Sequence, residues 1–79
     1  MTPEQRDKLI EIFQVVLDAD ANSDISATRR ISHPQWDSLA HVSLVAAIES
    51  EFGLALDGAE MERMSSFAAT QLMLEEKGL

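Results

Sequence analysis

Trp36-Asp37-Ser38-Leu39-Ala40-His41-Val42-Ser43-Leu44-Val45-Ala46-Ala47-Ile48-Glu49-Ser50-Glu51-Phe52-Gly53 is the stretch whose reading decides the fold. An Asp-Ser pair ahead of an apolar run marks a helix start, because both side chains accept bonds from the N–H groups that a first turn leaves without partners. Leu44, Val45, Ile48 and Phe52 share one face, with Ala47 near it, and Gly53 suits a helix stop. The spacing predicts a helix from 37 or 38 to 52. Ser38 then presents its hydroxyl at the positive end of the helix dipole, a position that favours phosphate.

Working back from this helix, residues 19–35 lack periodicity and collect Asn, Ser, Asp, Thr and Pro. A loop of that length is unusual in a compact domain. Ile25 and Ile31 are expected to pin it to the core, through a short helical turn. Before it, Thr2-Pro3-Glu4-Gln5 reads as an N-cap, a proline at the first helical position and the distal residue of a capping box. Leu9, Ile12, Phe13, Val16 and Leu17 follow at helical spacing and predict a helix over 3–18. Downstream, Leu54 to Gly58 is a short apolar link. A brief helix is expected over 59–64 with Met61 and Met64 inward. Ser65 or Ser66 then caps a last helix to Lys77, packing Phe67, Ala68 and Leu72 with Met73 or Leu74, and Gly78 ends it.

The fold class is therefore all-α: a bundle of three longer helices and one short one, with a long first loop, in a single domain over 1–79. A chain of 79 residues buries about 60–65% of its unfolded surface, so its stability is marginal. Aliphatic residues dominate, and the aromatics are only Phe13, Trp36, Phe52 and Phe67. Net charge is −8, with −2 over residues 1–36 and −6 over 37–79. That surface repels nucleic acid and suits partners with basic faces. With no cysteine, the chain has no disulfide, thiolate metal site or thiol nucleophile. Charges at Glu4, Arg6, Asp7 and Lys8 interrupt any signal-peptide core, and the run Leu44–Ile48 is too short to span a bilayer. A cytoplasmic monomer without membrane insertion is expected.

Other candidate sites are weaker. Asp18, Asp20 and Asn22 imitate the first ligands of an EF-hand, but Ser23 replaces its glycine and Arg29 its bidentate glutamate, so no metal site is expected. Asp37, Ser38 and His41 lie on one helical turn, whereas a hydrolytic triad converges from separate elements on an oxyanion hole. No Gly-x-Ser-x-Gly elbow is present, and no catalytic residue is assigned. His33 and His41, without paired carboxylates, make a poor metal site. Trp36 is read as a cover for the helix start that holds the loop end to the bundle, ahead of a role in partner recognition.

Asp37-Ser38-Leu39 at a helix start, followed in register by Val42, Leu44, Val45, Ala47, Ile48, Glu49, Glu51, Phe52, Gly53, Leu56, Glu62 and Ser65-Ser66, resembles the acyl carrier protein family over essentially the whole chain. The long first loop agrees with the family. The resemblance implies 4′-phosphopantetheine, drawn from coenzyme A and attached covalently to Ser38 by a phosphopantetheinyl transferase, with Asp37 and Leu39 in that enzyme's recognition. The arm's thiol would carry an acyl or aminoacyl thioester, and the domain itself would catalyse nothing. Partners would include a loading ligase and downstream transferases with basic docking faces, engaging Glu49, Glu51, Glu60 and Glu62. His41 would be a surface residue beside the prosthetic group. A cargo pocket would be lined by Leu44, Ile48, Leu56, Met61 and Met64, and the bulk of Met61 there favours a short or polar cargo.

The chain also departs from typical fatty-acid carriers. Pro34-Gln35-Trp36 replaces Leu-Gly-x, while Ala40, Ser43 and Ser50 replace acids. Ala46 replaces Met, and Asp57-Gly58-Ala59 replaces Pro-Asp-Glu. These changes favour a free-standing carrier of a specialised pathway, such as polyketide, aminoacyl, surface-glycan or lipid systems. The alternatives are a fatty-acid synthesis carrier and, from another class, an unmodified acidic helical adaptor.

Overall fold

A computed structural model describes residues 1–20 and 22–79. Among them the chain is all-helical, with α1 (Pro3–Val16), α2 (Ser38–Phe52), the short α3 (Gly58–Arg63) and α4 (Phe67–Glu76). Two 3₁₀ turns, Ile25–Ala27 and Arg30–Ser32, interrupt the connection between α1 and α2. No helix is long and apolar enough to cross a membrane among the described residues.

Local chemistry sets each helix start. Thr2 accepts from the Gln5 N–H while Gln5 accepts from the Thr2 N–H, closing a capping box around Pro3. Asp57 and Glu60 form a second box on α3, and Ser66 accepts from the Ala69 N–H on α4. At the other ends, Gly53 closes α2 in the left-handed region at φ 63°. Asp18 adopts φ 50° just beyond α1, so the helix stops at Val16 rather than 18. Asp18 thus acts as a helix terminator, and the Asp20 carboxylate accepts from the Asn22 N–H in a local turn.

The core joins all four helices. Phe13 stands edge-on to Trp36 (centroids 5.3 Å apart) and to Phe67 (5.1 Å), a chain of rings linking the long loop, α1 and α4. Leu9, Leu17, Leu44, Ile48, Met64 and Leu74 fill in around it, fully buried. The loop is stitched to the start of α4 by the Phe67 N–H to the Thr28 carbonyl (3.0 Å) and the Arg30 N–H to the Ser65 carbonyl (2.9 Å).

Three expectations about burial need correction. Ile25 is buried, but Ile31 is 87% exposed. The backbone bond at Arg30 holds the second 3₁₀ turn against the Ser65–Ser66 strand of chain and leaves Ile31 pointing outward. On α4, Leu72 is 56% exposed and Ala68 is also exposed. Phe67, Thr70, Met73 and Leu74 form the buried face, and at about 100° per residue Ala68 and Leu72 fall on the opposite side. Thr70 enters the core because its hydroxyl donates to the Ser66 carbonyl at 2.8 Å.

Phe13→Ala should destabilise the domain by about 3–5 kcal/mol, a large part of the ~4–12 kcal/mol available to a chain of this size. Leu72→Ala should change stability by less than about 0.5 kcal/mol. Urea unfolding followed by circular dichroism measures both; a Leu72→Ala loss as large as that of Phe13→Ala would contradict the assigned α4 face.

Candidate functional site

Ser38 is the first residue of α2 and is exposed. The cap itself is supplied by Asp37, whose Oδ1 accepts from the Ala40 N–H at 2.9 Å. The charge of Asp37 is thereby committed to the helix terminus. Among the described residues the Ser38 hydroxyl enters no hydrogen bond, unlike those of Thr2, Ser66 and Thr70. An exposed hydroxyl thus stands on a fixed turn at the N-terminus of a 15-residue helix.

What fixes that turn lies directly beneath it. Trp36 is buried, and its indole N–H donates to His41 Nδ1 at 2.9 Å. The two rings stack with centroids 6.1 Å apart. On its other side His41 Nε2 lies 2.8 Å from the Met61 carbonyl of α3. Trp36 therefore holds the loop end to the core as expected. His41 differs from expectation, being a half-buried tie between the loop, α2 and α3 rather than a surface residue beside Ser38. Sequence reasoning missed this because the partners are 5 and 20 residues away along the chain.

Around the serine, α2 presents an uncharged face. Leu39 is 77% and Val42 65% exposed, and Ser43, Ala46 and Ser50 are exposed with them. Of the four acids expected to dock partners, Glu49, Glu51 and Glu60 also make contacts within the fold. The Glu49 carboxylate accepts from the Leu56 N–H at 2.8 Å and so clamps the link after α2. Glu51 pairs with Lys8 at 2.9 Å, which raises the Lys8 pKa above its ordinary value. The Lys77 ammonium, 2.7 Å away, and then the Asp57 N–H hold the Glu60 carboxyl below the usual carboxylate range. Glu62 is exposed on α3.

Leu44, Ile48, Leu56 and Met64 lie together with at most 5% exposure, and Met61 is packed against them half-buried. The proposed cargo lining is thus brought together as packed core. Among the described residues, hollows lie elsewhere, along the seam between α1 and α2. One of about 250 Å³ is bounded by Ile12, Val15, Val16 and Ala47 and by the Lys8–Glu51 pair. Another, of about 380 Å³, adjoins the start of α2 between Val16, Gln35, Asp37, Leu39, Ala40 and Ser43.

Comparison of the chain with protein-family models, with characterised proteins and with solved structures gave no match.

The depressed Glu60 pKa has a definite sign. Its contribution to stability is complete above the ordinary glutamate range and is lost as pH falls through the lower folded value. Carbon-detected NMR titration should place the Glu60 midpoint below that of an ordinary glutamate, and Lys77→Met should raise it. An unchanged midpoint in Lys77→Met would show that Lys77 is not the cause.

Proposed function

We propose that this chain carries acyl or aminoacyl thioesters on a 4′-phosphopantetheine arm esterified to Ser38. The observation that carries the reading is the exposed Ser38 hydroxyl, without a hydrogen-bond partner among the described residues, at the N-terminus of α2. Its neighbourhood fits a phosphodiester. The helix terminus offers positive potential, and the neighbouring Asp37 carboxylate is turned to the Ala40 N–H. The resemblance of Asp37-Ser38-Leu39 and the register after it to acyl carrier proteins points the same way.

When bound, the arm would supply the thiol that holds the cargo, since the chain has no cysteine. The chain's own residues have simpler tasks. Ser38 offers its oxygen to the transferase, and Asp37 keeps the first turn closed. Leu39, 77% exposed beside it, offers that enzyme an apolar contact. The reaction chemistry belongs to partners, so the domain is a carrier rather than an enzyme. Docking rests on the uncharged face of Leu39 and Val42, with Glu62 and the carboxylates of Glu49, Glu51 and Glu60 adding long-range attraction to basic partners. Exposed pairs contribute only about 0–1 kcal/mol each, so charge acts mainly on association rate.

The departures from fatty-acid carriers favour a specialised, cytoplasmic pathway over housekeeping lipid synthesis. The burial of Leu44, Ile48, Leu56 and Met64 favours a short or polar cargo that stays outside the bundle, because an entering chain must displace packed atoms. A second reading, an unmodified adaptor that docks through α2, is favoured by the exposed apolar pair Leu39 and Val42.

Incubation with a phosphopantetheinyl transferase, coenzyme A and magnesium should add the mass of one arm to the protein and none to Ser38→Ala. An arm on Ser38→Ala would refute the site, and an unmodified wild-type chain would favour the adaptor. Raising salt to about 0.5 M should slow loading if charge steers the encounter; an unchanged rate would remove that role from the acids. Amide spectra of octanoyl- and acetyl-loaded protein should differ little at Ile48, Leu56, Met61 and Met64. Large octanoyl-specific shifts there would establish an internal pocket and overturn the short-cargo reading.

A further inference from the structure

We infer that His41 is held as the neutral Nε2–H tautomer and that a second proton on its ring unlatches α3 from the first turn of α2. The tautomer follows from the donors. An indole nitrogen can only donate, so the His41 Nδ1 that lies 2.9 Å from Trp36 Nε1 must accept and carries no hydrogen. The ring proton is then on Nε2, which donates to the Met61 carbonyl at 2.8 Å. One rigid ring makes both bonds, in a single orientation.

Protonating Nδ1 sets two N–H groups against each other across the Trp36 contact. Trp36 cannot yield, because it is only 3% exposed and its ring is wedged edge-on against Phe13. The imidazolium is half-buried and gains hydration by turning outward. Since the ring is rigid, leaving Trp36 also breaks the bond to Met61.

α3 is the element that feels this loss. Met61 packs half-buried against the core, but no residue of Gly58–Arg63 is fully buried, so polar ties add to what holds α3 in place. Lys77–Glu60 and Arg63–Glu76 both run to the end of α4. His41–Met61 is the side-chain bond that runs from α3 to α2 among the described residues. The ionisable groups on the elements around the ring are Asp24, Arg29, Arg30 and His33 in the loop, Asp37 capping α2 with Glu49 and Glu51 near its far end, and Glu60, Glu62 and Arg63 on α3. Glu60 and Arg63 are paired, and Asp37 is engaged in capping.

The inference concerns the unmodified chain and stands whether or not Ser38 carries an arm. Long-range ¹H–¹⁵N spectra of the wild-type protein should show His41 as the Nε2–H tautomer at neutral pH. On acidification, the Trp36 indole proton and the amides of Met61 and Met64 should shift with the same midpoint as the His41 ring. In His33→Ala the same shifts should persist. Hydrogen exchange at the Met61 and Met64 amides should quicken by about three- to tenfold, the size expected for one lost bond. His41→Ala should show that faster exchange already at neutral pH. An Nδ1–H tautomer, or a His41 titration that leaves the Trp36 indole and the α3 amides unmoved, would overturn the inference.

Discussion

The buried indole of Trp36 is the constraint on which the rest of the molecule depends. A connection of 21 residues, 17–37, separates α1 from α2, and closing it is costly in chain entropy. Burial of an indole, of the order of 200 Å² of surface, contributes on the order of 5 kcal/mol against that cost. The ring meets Phe13 of α1, and Phe13 meets Phe67 of α4, so one side chain sets the end of the loop against two helices. Its N–H then reaches His41 and, through it, Met61. Because Trp36 stands two residues before Ser38, anchoring the indole also anchors the serine. Packing energy is thus converted into a defined position for an exposed hydroxyl.

Electrostatics adds a second layer. Most of the net charge of −8 resides in residues 37–79, yet the exposed face of α2 between Asp37 and Glu49 carries no acid. The carboxylates of Glu49, Glu51 and Glu60 sit beyond it and are occupied in clamping the α2–α3 link, bridging α1 to α2 and joining α3 to α4. A partner approaching Ser38 would be drawn by the overall field but would touch Leu39 and Val42. Attraction and contact are therefore separated in space. That arrangement suits brief, repeated encounters, in which charge sets the on-rate and a small apolar patch sets the residence time.

Features encoded within three or four residues were legible in the sequence. The Thr2–Gln5 box, the Asp37 and Ser66 caps and the Gly53 stop each follow from local hydrogen bonding or backbone preference, and with them the four-helix plan. The Asp37-Ser38 start was legible for the same reason. Contacts between distant segments were not. Nothing near Ile31 says that Arg30 is bonded to Ser65 and turns the isoleucine outward. Hydrophobicity alone favoured Leu72 for the core, whereas the helical angle set by Phe67 and Leu74 selects Thr70 and Met73. The role of His41 needed both Trp36 and Met61 in place before it could be seen.

The central proposal is that Ser38 carries a phosphodiester. A proton–phosphorus correlation spectrum of the chain after treatment with a phosphopantetheinyl transferase, coenzyme A and magnesium tests it most directly. The account predicts one phosphodiester resonance coupled to the Ser38 β-protons, with accompanying shifts of the Leu39 and Ala40 amides. Coupling to the β-protons of any other residue, or no phosphodiester resonance from fully folded protein, would contradict it.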